Sequence, residues 1–99
     1  MTNNRLRPIH PGEILREEYL QPMGLSAHAL SLALRVPASR IGEILKERRG
    51  VTADTALRLA KYFGTDAQSW LNLQTSYDLK IVAKQQGNEI DQQVQPMVG

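Results

Sequence analysis

The residues of this sequence best suited to chemistry lie between Ser26 and Arg49, and their types favour recognition over bond-breaking. Ala38, Ser39, Arg40, Glu43 and Lys46 fall within nine positions, and the adjacent pair Arg48-Arg49 follows. An arginine fork matches the O6 and N7 acceptors of guanine. A glutamate accepts from the amino group of cytosine, and an alanine methyl fits beside that of thymine. Lysines, arginines and the free amides at a helix start hold phosphates, which makes Ser26 a further candidate.

Catalytic patterns are missing from the same chain. His10 and His28 are the only histidines, cysteine is absent, and no HExxH spacing occurs, so neither a metal site nor thiolate chemistry is expected. No GxSxG, P-loop or GxGxxG run is present. Glu17 and Glu18 are adjacent, but neighbours on a helix point about 100° apart and make no acid–base pair. Trp70 and the tyrosines lie outside the basic stretch, which argues against a base-stacking platform. The expectation is a binding protein, not an enzyme, with no cofactor.

The elements that must position these residues are readable from period and punctuation. Ser26 is an N-cap candidate, with Leu25 before it and Leu30 after it arranged as a hydrophobic staple. Leu30, Ala33 and Leu34 line one face of the helix that follows. Arg35-Val36-Pro37 breaks the pattern, and Pro37 is suited to open a new helix. In that helix Ile41, Ile44 and Leu45 form one apolar stripe. Ser39, Glu43 and Lys46 point the other way, with Arg40 and Glu47 beside them. Helix, short turn and two-faced helix suggest a helix-turn-helix, whose second helix fits the DNA major groove. The alternative at this point is a helical hairpin that only packs.

Three further helices are predicted. His10-Pro11-Gly12-Glu13 starts the first, whose stripe of Ile14, Leu15, Tyr19 and Leu20 ends before Pro22 and Gly24. Thr52 caps a fourth, with Ala56, Leu57, Ala60 and Phe63 on its apolar face and Gly64 as its stop. Asp66 caps a fifth. Trp70, Leu73, Tyr77 and Ile81 make one line along it, while Leu71, Leu79 and Val82 lie off that line. Two apolar lines imply two neighbours: either both belong to the core, or one meets a second subunit. Residues 1–9 read as a polar, mobile arm, and the Gln-rich residues 85–99 as a disordered tail.

Ninety-nine residues amount to about one domain, too small for a deep cleft between lobes. The net charge of +2 is unevenly spread. Residues 35–61 carry seven basic and three acidic side chains, an excess of four, whereas from Thr65 onward four acids face two lysines. A basic middle and an acidic end suit a DNA-facing segment followed by a segment with another task. No apolar run approaches a membrane span or the core of a signal peptide, so the expected location is the cytoplasm.

Residues 25–64 resemble the phage-repressor-like helix-turn-helix superfamily. The longer run from His10 to Lys80 resembles the HigA/VapI family of plasmid-maintenance antitoxins, through HPGEILREEYL at 10–20, LSAHALSLALRVPASRIGEIL at 25–45, ERRGVTADTALRLAKYFGT at 47–65 and WLNLQTSYDL at 70–79. The resemblance implies an all-α, five-helix, lambda-repressor-like fold: arm 1–9, a DNA-binding and dimerisation domain 10–84, and the flexible tail. It implies a homodimer that binds double-stranded operator DNA, represses its own operon and neutralises a cognate toxin that cleaves messenger RNA. The alternative is a plain helix-turn-helix regulator with no toxin partner. Together with helix geometry, the resemblance places Ala38, Ser39, Arg40 and Glu43 at base edges. Ser26, Lys46, Arg48 and Arg49 then hold phosphates. Three positions depart from the superfamily pattern: Arg35 replaces a common turn Gly, Pro37 a Ser or Thr cap, and Ala27 a phosphate-binding Gln.

Overall fold

The computed structural model describes residues 7–98, and their regular structure is helical throughout. Helix α1 spans 11–23 without a break, as α-helical Pro11–Ile14, π-helical Leu15–Leu20 and α-helical Gln21–Met23. It is followed by α2 (Ala27–Leu34), α3 (Ala38–Leu45), α4 (Ala53–Phe63) and α5 (Ala67–Gln93). The termini predicted from sequence are capped as expected. The Ser26 hydroxyl accepts from the Ala29 N–H at 3.0 Å, Thr52 from Thr55 at 3.4 Å, and the Asp66 carboxylate from Ser69 at 3.0 Å.

The first helix differs from its prediction at its end. It runs through Pro22 and stops only at Gly24, which is left-handed with φ 61°. Proline removes an N–H and its ring collides with the carbonyl four residues back in a regular α-helix. Here the preceding turn is widened, with the Gln21 N–H donating to the Arg16 carbonyl, and a wide turn accommodates such a ring.

Helices α1 to α4 all end in the same way. The second residue past α1, α2 and α4, and the third past α3, donates back to the last turn: Leu25 to Leu20, Val36 to Ser31, Arg48 to Glu43 and Thr65 to Ala60, at 2.8–3.1 Å. This motif needs a left-handed residue at the stop. Glycine serves at Gly24 and Gly64, but Arg35 (φ 60°) and Glu47 (φ 63°) serve for α2 and α3.

The core gathers Leu15, Leu30, Ile41, Ile44, Ala56 and Leu59, all without solvent exposure, together with Leu20, Leu34, Val51 and Trp70. Helix α1 crosses both α3 and α5, α2 packs on α3 and α4, and α4 packs on α5. Tyr19 of α1 meets Phe63 at 4.8 Å and Trp70 at 5.3 Å in tilted ring contacts, and the Trp70 indole N–H donates to Thr65.

The two apolar lines of α5 have different fates. Trp70 is buried and Leu73, Tyr77 and Ile81 are half-buried; of the other line Leu71 packs half-buried against the core, whereas Leu79 and Val82 are exposed on the described chain. The expected disorder from residue 85 is not found up to Gln93, because the helix continues that far and stretches the molecule to 52 Å. Glutamine is a good helix former, and Gly87 is the weakest residue there, costing about 1 kcal/mol, with Asn88 and Asp91 next. A bond from Gln93 to Glu89, one turn back, supports the last turns. In the N-terminal arm, Arg7 is fixed by a two-pronged ion pair to Glu13 at 2.9 and 3.0 Å. Residues 1–6 of the predicted arm lie outside the described residues.

Candidate nucleic-acid interface

Helix α3 is built with one face for the core and one for a partner. Ile41 and Ile44 are wholly buried, while Ala38, Ser39 and Lys46 are exposed and Glu43 is half-buried. Pro37 is the N-cap residue, not the first helical residue, and offers no side-chain acceptor. The amides at the start of α3 are therefore left without a capping side chain.

The other end of α3 is clamped by α1. Gly12 packs so closely that a Cβ there would fall on the Ile44 carbonyl. Arg16 donates to the Leu45 carbonyl at 2.6 Å and lies 3.7 Å from Glu47. A cation bonded to the last carbonyls complements the negative end of the helix. Gly12 is itself held by His10, whose Nδ1 accepts the Gly12 N–H at 2.8 Å and whose ring meets Tyr77 of α5 edge-on. Burial pushes the His10 imidazole below its ordinary value, with Glu47 and Asp78 opposing. The HPGE run thus sets where α3 lies.

Arg40 is half-buried and does not pair with Glu43 or Glu47. Its Nη1 donates to Asp54 of α4 at 2.8 Å. The same carboxylate oxygen accepts from Arg58 Nε at 3.0 Å, and Arg58 donates onward to the Leu34 carbonyl at the end of α2 at 2.8 Å. Hydrogen bonds from Arg58 and then Arg40 hold the Asp54 carboxyl below the usual carboxylate range.

Between α3 and α4 the loop carries Arg48 and Arg49, both exposed. It is tied down by Gln74 of α5, which accepts the Val51 N–H at 2.7 Å and fills the space a side chain at Gly50 would take. Arg40 and Arg49 border one groove of about 640 Å³ with Thr52, Asp54, Gln74 and Asp78. Ala38, Ser39, Glu43, Lys46 and Arg48 lie outside its lining, as does Ser26 at the exposed start of α2.

Four structural partners of this face escape a reading of the sequence alone: Arg16, Asp54, Arg58 and Gln74. Only the Asp54–Arg58 pair carries a local signal, the four-residue spacing that brings side chains together on a helix. Among the described residues, no helix is long and apolar enough to cross a membrane, and no group of three or more His, Asp or Glu gathers where a metal could be held.

Comparison with known proteins agrees with this architecture. The profile of the family described as helix-turn-helix matches residues 17–70. Virulence-associated protein I of Dichelobacter nodosus is 73% identical over 78 residues, covering 79% of this chain and 72% of that one. Among solved structures, the Pseudomonas aeruginosa antitoxin HigA with the higBA promoter superimposes with a TM-score of 0.90 at 46% identity, covering 93% of this chain and all of that one. The antitoxin GraA in complex with its operator gives 0.89 at 53% identity over 94% of both chains. With its five helices, the face on α3 and these likenesses, the chain belongs to the helix-turn-helix family, within its HigA/VapI branch.

Proposed function

We propose that this chain is a sequence-specific DNA-binding repressor of its own operon and the antitoxin to an mRNA-cleaving toxin, working in the cytoplasm by binding and not by catalysis. The observation that carries the reading is the division of α3: Ile41 and Ile44 on its aliphatic side are wholly buried, with Leu45 partly so, while Ala38, Ser39 and Lys46 stand exposed. The similarity to HigA solved with its promoter and GraA solved with its operator supports operator binding by this chain.

In this reading α3 enters the major groove. Ala38, Ser39, Arg40 and Glu43 face base edges, and Ser26, Lys46, Arg48 and Arg49 meet phosphates on either side. The protein acts as a dimer, for which the exposed Leu79 and Val82 on α5 offer apolar surface. Two half-sites then lie about 34 Å apart, one turn of duplex. If each subunit neutralises about three phosphates, log affinity falls against log salt with a slope of roughly −5. Arg49→Ala weakens all sequences alike and makes that slope shallower by about one for each phosphate left without its cation.

A footprint on the DNA upstream of the gene tests the repressor, and rescue of growth arrested by the neighbouring gene product tests the antitoxin. A protected, two-fold symmetric site is expected in the first and rescue in the second. Protection without rescue leaves a plain regulator. Protection that is uniform across unrelated DNA overturns the assignment of α3.

A further inference from the structure

Asp54 stands where simple electrostatics would not put it. It lies on α4, its side chain is 55% exposed, and it borders the groove lined also by Arg40, Arg49 and Asp78. A carboxylate beside a face that meets a polyanion opposes binding by charge alone. An exposed ion pair contributes little to folding, and a place in the first turn of α4, where the helix dipole favours an acid, accounts for a carboxylate here but not for its bond to Arg40. Its geometry does. Asp54 is anchored by Arg58, which is pinned in turn to the Leu34 carbonyl, so its carboxylate is fixed to both α2 and α4. From that fixed point one oxygen takes a single N–H of Arg40, at 2.8 Å. A guanidinium has five N–H donors in one plane. One bond at Nη1 restrains that plane and leaves the donors of Nη2 and Nε for another partner. Reading guanine requires two parallel donors in a set plane, whereas an unrestrained arginine binds any phosphate within reach.

We infer that Asp54, though outside the reading helix, determines specificity as a positioning residue: it aims the Arg40 fork at a base edge and keeps it from the phosphates. This rests on the reading of α3 as the DNA-contacting helix.

The test compares the full chain with Asp54→Ala, Asp54→Asn, Arg40→Ala, Arg58→Ala and the Asp54→Ala/Arg40→Ala double variant. Each is titrated onto the promoter fragment, onto a shuffled fragment of equal composition, and onto promoters changed one base pair at a time. Thermal melting reports the fold, and Asp54→Asn, which keeps the size of the side chain, stands in should the alanine variant not fold. Asp54→Ala is expected to lower the preference for promoter over shuffled DNA about tenfold, the scale of one bidentate base contact. The loss is confined to one base pair per half-site, the same pair that Arg40→Ala relaxes, and the double variant loses no more than either single one. Affinity for shuffled DNA rises severalfold, because a negative charge has gone. A merely structural role would weaken both fragments together, and that result overturns the inference. So does an unchanged preference, an additive double variant, or an Arg58→Ala variant that keeps its full preference although Asp54 has lost its anchor. Wild-type protein with no promoter preference sinks the reading of α3 and this inference with it. A preference that survives at Asp54→Ala sinks this inference alone.

Discussion

The two ends of α3 are held in opposite ways. At its C-terminal end the backbone of α1 presses against Ile44 through Gly12, Arg16 bonds the Leu45 carbonyl, and Glu47 is forced left-handed to close the helix. At its N-terminal end Pro37 supplies no cap, Ala38 and Ser39 are exposed, and the one long side chain is steadied by a surface carboxylate. A reading helix needs a fixed axis and free donors. This fold obtains the axis by clamping the end that is not read, and at the end that is it leaves Ala38 and Ser39 exposed and Arg40 with donors beyond its one bond to Asp54. The asymmetry predicts that substitutions at the clamped end act on folding first, and those at the free end on DNA alone.

Gly12→Ala tests this asymmetry most severely. The added methyl meets a backbone carbonyl, which cannot rotate away, so α1 and α3 must separate. A loss of about 3 kcal/mol in urea unfolding is expected, at the upper end for overpacked sites. DNA binding should fall at least as far as the folded population does. A Gly12→Ala protein of unchanged stability would show that α1 is no clamp. At the other end, Arg40→Ala should cost about 1–3 kcal/mol of discrimination at one base pair per half-site while unfolding as the parent does. Equal losses of stability at the two positions would erase the distinction between a clamped and a free end.

Much of this frame is legible in the sequence because its signals are local. Ser26, Thr52 and Asp66 cap their helices through bonds spanning three residues, and the Ile41–Ile44 stripe follows from helical period alone. What lies hidden depends on how helices cross. Arg40 meets Asp54 fourteen residues on, and Val51 meets Gln74 twenty-three residues on. No periodicity encodes such partners, since a small rotation of α4 or α5 would exchange them for water. The end of α1 and the extent of α5 are misjudged for a different reason. Pro22 and the Gln-rich run are weak stops, and each is overridden by nearby geometry, a widened turn in one case and good helix formers in the other.

A smaller effect tests the turn between α2 and α3. Arg35 occupies the left-handed stop that glycine fills after α1 and α4. That conformation costs a residue with a Cβ roughly 1–2 kcal/mol. Part of the gain from glycine is offset by the freedom glycine adds to the unfolded chain. Arg35→Gly should therefore stabilise the fold by about 1 kcal/mol in urea unfolding, with promoter affinity unaltered if this turn only connects. A stabilised variant that binds DNA less well would instead make Arg35 part of the contact surface and extend the free end backward into the turn.

The smallest effect concerns the clamp's dependence on pH. His10 caps α1 with an unprotonated Nδ1 that accepts the Gly12 N–H, and burial depresses its pKa below the ordinary 6.5. On acidification the unfolded chain takes up its proton first, while the folded chain resists. Folded stability is therefore complete above the ordinary histidine range and declines as pH falls through 6.5 toward the lower folded value, after which this contribution levels off. Protonation at Nδ1 also deletes the acceptor that holds Gly12, so the site loosened by acid is the one that fixes the C-terminal end of α3. His10→Asn keeps an acceptor at the helix start but does not titrate. Its stability between about pH 5 and 7 should be flatter than that of the parent in urea unfolding, the window set by the histidine range. Parallel slopes for the two proteins would place the acid sensitivity on another group and leave His10 as packing alone.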